Sequence, residues 1–276
     1  PSVLQDQPLE RVQRDGVEYV VLGTAHVSRT SMEAVQALLE HERFDAVAVE
    51  LCESRAQGMR DPDAFKRMDL FQVIRQGKAG MVAASLVLST FQKRLAEQSG
   101  IQPGAEMKAA MDGAEARGLP LWLVDREVGT TLKRAWRSVG FWQRFGLLGG
   151  LLASVFEREE IEASEIEKLK QGDMLESAFS EFASESKPLY ESLIAERDAY
   201  MAARLREEAA RSAADTPRRV LVVIGAGHLK GLCQLLREQQ GDPAATAAVL
   251  AQTPPKARWP KWLAAGLVLA VFVAIA

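Results

Sequence analysis

Four short apolar runs punctuate the chain, each ending in a glycine turn or a carboxylate. Glu18–Leu22 (EYVVL) leads into Gly23-Thr24-Ala25-His26, after which Thr30 and Glu33 form a T-x-x-E capping box for a helix ending near Glu42. Asp45–Glu50 (DAVAVE) continues into Leu51-Cys52-Glu53-Ser54-Arg55, and Leu119–Val124 (LPLWLV) runs into Asp125-Arg126-Glu127. Val220–Ile224 (VLVVI) enters Gly225-Ala226-Gly227-His228, followed by a helical pattern through Leu229–Gln239. Runs without polar alternation mark strands buried on both faces. With helical periodicity between them they predict an α/β fold: a mixed, mostly parallel central sheet covered by helices. Ligands of such sheets bind beyond the carboxyl ends of the strands, where His26, Glu50, Asp125 and His228 all fall.

A long helical insert, roughly residues 130–214, separates the third run from the fourth. Its first part, 139–156, is apolar nearly all round and must pack on its own core, a second subunit or lipid, so a homodimer is one expectation. Residues 157–170 are a charge-dense amphipathic stretch, and Pro188–Arg211 opens with Pro at a plausible first helical position. Residues 77–92 are largely apolar and read as core.

Residues 242–260 contain four prolines and read as a linker. Trp262–Ala276 is fifteen residues without a charge; a spanning helix needs about 20 apolar residues, so the run is expected to begin a transmembrane segment, a buried helix being the alternative. Lys256, Arg258 and Lys261, with Trp259 and Trp262, form a basic and aromatic flank of the kind found on the cytoplasmic side. The expected layout is an α/β domain over 1–241, a linker over 242–260 and a membrane segment over 261–276, with the folded part cytoplasmic. The first twenty residues contain no apolar h-region, so no signal peptide is expected.

Charge narrows the function classes. In 276 residues, 34 Lys and Arg oppose 37 Asp and Glu, a net charge of −3. This balance excludes a generally basic nucleic-acid binder. Two cysteines, Cys52 and Cys233, supply neither a disulfide framework nor a four-cysteine zinc pattern.

Only three histidines occur, and two of them, His26 and His228, occupy the last position of a Gly-x-x-His turn directly after an apolar run. Such an imidazole at a sheet edge serves as metal ligand or general base. Glu50 follows apolar residues where a carboxylate is costly unless paired or metal-bound. Two imidazoles and one carboxylate form a ligand set for a divalent ion with an open position for water; the alternative is that Glu50 pairs with Arg55. Asp125 orients a ligand or a histidine, and Arg126 binds a carboxylate or phosphate, unless the two are structural. Glu196-Arg197-Asp198 on the insert fits a solvated face; a site role requires that helix to fold over the sheet edge. A dinucleotide fingerprint is weak, because Lys230 stands where the third Gly of G-x-G-x-x-G belongs, and no P-loop, H-E-x-x-H or G-x-S-x-G motif occurs.

Six blocks in order carry a family resemblance: GTAHVSRTS at Gly23–Ser31, DAVAVELCESR at Asp45–Arg55, EMKAAMDGA at Glu106–Ala114, LVDREVGTTLKRAW at Leu123–Trp136, ERDAYMA at Glu196–Ala202 and VVIGAGHLKG at Val222–Gly231. The chain resembles the TraB/PrgY family of pheromone-shutdown proteins, related to Tiki and GumN proteins, over about Glu18–Gly241. Members often carry C-terminal transmembrane helices. Tiki-like relatives act as metal-dependent peptidases through two G-x-x-H motifs and a Glu, which match His26, His228 and Glu50. Pheromone-shutdown relatives reduce the activity of a small peptide signal by degradation or sequestration. More distant erythromycin-esterase and ChaN-like proteins hydrolyse a lactone without metal or bind haem.

The resemblance also implies that Arg55, Glu106, Asp125, Arg126, Arg134, Arg197 and Asp198 line one pocket. The expectation it yields is a membrane-anchored hydrolase acting on a small peptide. A Mn, Co or Zn ion sits on His26, Glu50 and His228, Asp125 or Glu106 takes the proton, Arg126 or Arg197 steadies the oxyanion, and Asp198 belongs to the same site. A non-catalytic peptide binder or tether, and a metal-free esterase with His228 as base, are the alternatives.

Overall fold

A computed structural model describes residues 7–24, 29–61, 104–140, 186–211 and 218–253. The elements run in the order β1 (Leu9–Arg14), β2 (Val17–Thr24), α1 (Arg29–His41), β3 (Ala46–Val49), α2 (Glu53–Arg60), α3 (Ala105–Ala116), β4 (Leu121–Leu123) and α4 (Val128–Ser138). They continue with α5 (Lys187–Tyr190), a π-helical turn (Glu191–Ala195), α6 (Glu196–Arg211), β5 (Arg218–Gly225), α7 (Ala226–Glu238) and α8 (Pro243–Ala251).

The sheet order is β1-β2-β5-β3-β4, with β2, β5, β3 and β4 parallel and β1 antiparallel to β2. The mixed, mostly parallel α/β sheet expected from the apolar runs is therefore present. Successive residues of a strand point to opposite faces, and both faces are covered. Val21, Ala48, Val222 and Ile224 pack with Met201 and Leu205 of α6 and Leu232 and Leu236 of α7. Val20, Leu22, Val47, Val49 and Val223 pack on the other face with Leu38 of α1 and Met107 and Met111 of α3. Residues 128–138 and 187–211 of the expected insert are helical, apart from the turn of π-helix within the second.

Four details differ from the sequence reading. Strand β1 was not expected; its pairing with β2 turns on Asp15 (φ 51°) and Gly16 (φ 74°), the two positive-φ positions of a tight hairpin turn. Helix α1 begins at Arg29, which puts Thr30 inside the helix rather than at its cap. Helix α7 starts at Ala226, so His228 lies in its first turn and not in a preceding loop. Part of the expected linker is α8: Asp242 accepts from the Ala244 and Ala245 N–H groups at 3.2 and 3.1 Å, and Pro243 stands in the first turn, where its missing N–H costs nothing.

Among the described residues no helix is long and apolar enough to cross a membrane. The apolar run 262–276, residues 254–260 of the linker, His26 and the stretches 77–92, 141–156 and 157–170 lie outside the described residues.

Candidate active site

Strand β3 ends at Val49, and the next residue, Glu50, is 4% exposed. Its N–H donates to Val223 O at 3.0 Å, which continues the β3–β5 ladder by one residue, and its Oε2 accepts from the Gly225 N–H at 2.7 Å. Gly225 directly precedes α7, so the Glu50 carboxylate sits at a helix N-terminus, where unpaired N–H groups and the helix dipole favour negative charge. Two residues into α7 comes His228, also buried.

Helix α6 lays two further charges over this edge. Asp198 Oδ1 meets His228 Nδ1 at 2.5 Å. Arg197 reaches three side chains: its Nε and Nη2 donate to Asp125 Oδ1 and Oδ2 at 3.0 and 2.9 Å, Nη2 also donates to Glu50 Oε1, and Nη1 lies 2.9 Å from His228 Nε2. Because a guanidinium only donates, Nε2 must accept, which assigns the ring proton to Nδ1 and makes it the donor to Asp198. The Glu50 Oε1 oxygen stands 3.4 Å from the same Nε2. The two adjacent residues of α6 thus grip opposite nitrogens of one imidazole.

Burial and charge pull on these groups in opposite directions. Burial raises the Asp198 carboxyl by more than its bond to His228 lowers it. For His228 burial works against the imidazolium, yet Glu50 and the Asp198 bond outweigh it and hold the ring above its ordinary value. The Arg197 guanidinium is likewise disfavoured by burial but held above its ordinary value by Glu50 and Asp125.

Arg126 and Arg134 belong to a different cluster. Arg126, 1% exposed, donates to Thr131 Oγ1 at 3.0 Å, Glu196 Oε2 at 2.8 Å, Ser192 O at 2.8 Å and Leu250 O at 3.3 Å. Arg134 pairs with both oxygens of Glu196 at 2.6 Å and donates to Gln252 O at 2.7 Å. These bonds tie α4, the π-helical turn, the start of α6 and α8 together. Both arginines, expected at the site, are thus bonded to Glu196 and to backbone carbonyls of these elements.

Of the expected site residues, the structure brings Glu50, Asp125, Arg197, Asp198 and His228 together. Arg55 approaches Asp125 at 3.8 Å instead of pairing with Glu50 as the simpler sequence reading had it. Glu106 is buried in the first turn of α3, and His26 lies outside the described residues. Glu196, which the sequence reading left on a solvated face, is instead the shared partner of Arg126 and Arg134. The signal was the neighbouring Pro188–Tyr200 pattern, whose apolar positions show that this helix packs on something. Asp125 also lines an open cleft of about 480 Å³ with Cys52, Trp122, Tyr200 and Arg204.

A divalent ion on Glu50 and His228 would have to occupy the place of Arg197, which engages both Glu50 Oε1 and His228 Nε2. Among the described residues no group of three His, Cys, Asp or Glu side chains is arranged to hold a metal ion. Of the expected ligand set, Glu50 and His228 are both engaged by the guanidinium, and His26 lies outside the described residues.

The profile of the TraB/PrgY/gumN family matches residues 8–241. The chain is 32% identical over 221 residues to the uncharacterized protein MJ1365 of Methanocaldococcus jannaschii, covering 79% of this chain and 53% of that one. It is 32% identical over 244 residues to a TraB domain-containing protein of Bos taurus, and 31% over 242 residues to its counterpart in Homo sapiens; these matches cover 81% and 80% of this chain and 63% of each relative. The chain therefore spans between half and two thirds of the length of these relatives. It belongs to the TraB/PrgY/gumN family.

Proposed function

We propose that this member of the TraB/PrgY/gumN family is a hydrolase that cleaves an amide or ester carbonyl of a small peptide-like substrate, with His228 as general acid and base. The observation that carries this reading is the hold on one imidazole: Asp198 on Nδ1, a guanidinium on Nε2 and Glu50 beside it. Substrate enters along the cleft that Asp125 lines. Its carbonyl oxygen draws Arg197 Nη1 away from Nε2, which frees that lone pair and places a cation at the oxygen where negative charge develops. Nε2 removes a proton from water, the hydroxide adds to the carbonyl carbon, and the imidazolium returns the proton to the departing nitrogen or oxygen. Asp198 fixes the ring tautomer throughout, while Glu50 and Asp125 hold the guanidinium in plane. Within this reading the chain is anchored to a membrane through residues 261–276 with the folded part in the cytoplasm, on the strength of the basic and tryptophan-bearing flank before that run.

The test is turnover of activated esters and of a short-peptide library by the full chain, compared with His228→Gln and Asp198→Asn, with and without chelator. The expected result is turnover that survives chelation and falls by about 10²–10⁴-fold in His228→Gln. Tight peptide binding without turnover would establish the non-catalytic binder instead.

A further inference from the structure

We propose that the outer edge of β4 is the docking rail for substrate: a short peptide in extended conformation pairs with it as an added strand. The proposal deepens, and rests on, the reading of the site as one for peptide-like substrates. Among the described residues the sheet has β1 at one edge and β4 at the other. The two edges differ in kind. Along β1, Glu10, Arg11 and Arg14 are charged and engaged with Arg237, Glu42 and Asp15, and charged side chains of this sort keep an edge strand from pairing further. Leu121-Trp122-Leu123 of β4 carries no charge.

The phase of the ladder decides which backbone groups of β4 are left over. The Val47 N–H donates to Pro120 O at 2.9 Å and the Val124 N–H to Val49 O at 3.2 Å, with Val47 opposite Leu121 and Val49 opposite Leu123. Bonding residues alternate along a paired strand, so Pro120, Trp122 and Val124 face β3, while the N–H and C=O groups of Leu121 and Leu123 face away from it. Among the described residues no backbone bond outside the ladder reaches either leucine. Both leucines line the cleft of about 480 Å³ with Asp125, and Tyr200, Arg204 and Glu208, four residues apart on one face of α6, line it too. A backbone laid along β4 therefore lies in the cleft and reaches Asp125, which Arg197 links to Glu50 and His228.

Two outward residues offer donors and acceptors in the order in which another strand presents its own, a pattern that an extended peptide complements. In this mode main-chain bonds supply affinity and alternate side chains supply preference. Three residues of edge suit a short segment. The cleft carries the carboxylates of Glu53, Asp125, Glu127 and Glu208 against the guanidiniums of Arg60 and Arg204, and Arg204 is already shared by Glu207 and Glu208. Basic peptides are thereby preferred to acidic ones.

The probe is a library of capped, all-L hexapeptides presented to the immobilised full chain carrying His228→Gln, so that cleavage does not deplete it. Retained members are identified by mass spectrometry, and the best is resynthesised with a single N-methyl group at each position in turn. Pairing uses the N–H of every second residue, so N-methylation is expected to weaken binding about tenfold at alternate positions and little between them. Leu123→Pro deletes an outward N–H without removing a bond to β3, a substitution that an edge strand tolerates. It is expected to weaken every retained peptide about tenfold, and Leu123→Ala, which keeps the N–H, to weaken them less. Where Leu123→Pro does not fold, the N-methyl scan decides alone. No peptide retained at millimolar concentration, a scan without a period of two, or unweakened binding by a folded Leu123→Pro protein would overturn the proposal. Failure of the hydrolase reading looks different: periodic binding without turnover by wild type keeps the docking edge, whereas turnover with the same KM in wild type and Leu123→Pro removes the edge and keeps the hydrolase.

Discussion

Gly231 of α7 faces Asp198 of α6 so closely that a Cβ at position 231 would stand 2.1 Å from Asp198 Oδ2 and 3.0 Å from its Cγ. Glycine in a helix interior costs up to about 1 kcal/mol relative to alanine, so its presence here has a packing reason: it lets the Asp198 carboxylate lie flat on α7 and reach His228 Nδ1. Gly231→Ala is expected to preserve or raise helicity by circular dichroism while displacing Asp198. The measurement that checks this is the ¹⁵N shift pair of the His228 ring, which moves away from the Nδ1–H tautomer and is read independently of any activity. An unchanged ring spectrum would show that Asp198 does not depend on Gly231.

The clamp around Glu196 yields a different signature. Arg126 is buried and serves one side chain hydroxyl, one carboxylate and two backbone carbonyls. Arg126→Met would leave Ser192 O and Leu250 O without that donor and remove one of the two cations on Glu196, a loss of about 3–5 kcal/mol by analogy with broken buried pairs. The expected outcome is a lower urea midpoint at unchanged m-value. Were Arg126 a catalytic residue instead, turnover would fall and the midpoint would stay.

The same clamp predicts acid sensitivity. Burial alone would raise the Glu196 carboxyl, but the bonds from Arg134 and Arg126 outweigh it and hold the group below its ordinary value of 4.5. A depressed folded-state value means that the stabilisation is fully present above about 4.5 and is lost as pH falls through the folded value. Urea midpoints measured from pH 6 downward should therefore decline more steeply in wild type than in Glu196→Gln, which starts lower and has no proton to take up at this position.

How much of this was legible in the chain varies by element. The parallel strands were, because burial on both faces writes itself as unbroken apolar residues, as in VVL of β2 and VLVVI of β5. Strand β1 was not: as an edge strand, Leu9–Arg14 has one fully buried residue, Val12, among charged neighbours, and only Asp15-Gly16 advertised the hairpin. The residue types of the site were legible, but their pairing was not. Arg197 could be placed beside Glu50 only once α6 was known to cross the sheet edge, a relation between positions 147 residues apart. Likewise Arg126 stood in a family word beside Asp125, yet its partners Ser192, Glu196 and Leu250 come from distant segments, which no local spacing encodes.

The protonation of His228 gives the sharpest kinetic expectation. As a base it must be neutral, and the balance of burial against Glu50 and Asp198 keeps its folded-state value above the ordinary 6.5, with Arg197 opposing the rise. Turnover should accordingly climb with pH along a limb centred above 6.5. The raised value also means that the ring's contribution to stability is complete below about 6.5 and disappears as pH rises through the folded value, so the protein gains activity over the same interval in which it loses a little stability. Glu50→Gln removes a charge that raises the ring, and the limb should move to lower pH whatever happens to the maximal rate. Asp198→Asn should move it in the same direction, since Asp198 also raises the ring. A pH profile of kcat/KM in the three proteins checks this; a limb that stays in place in both variants would mean that another group carries the proton.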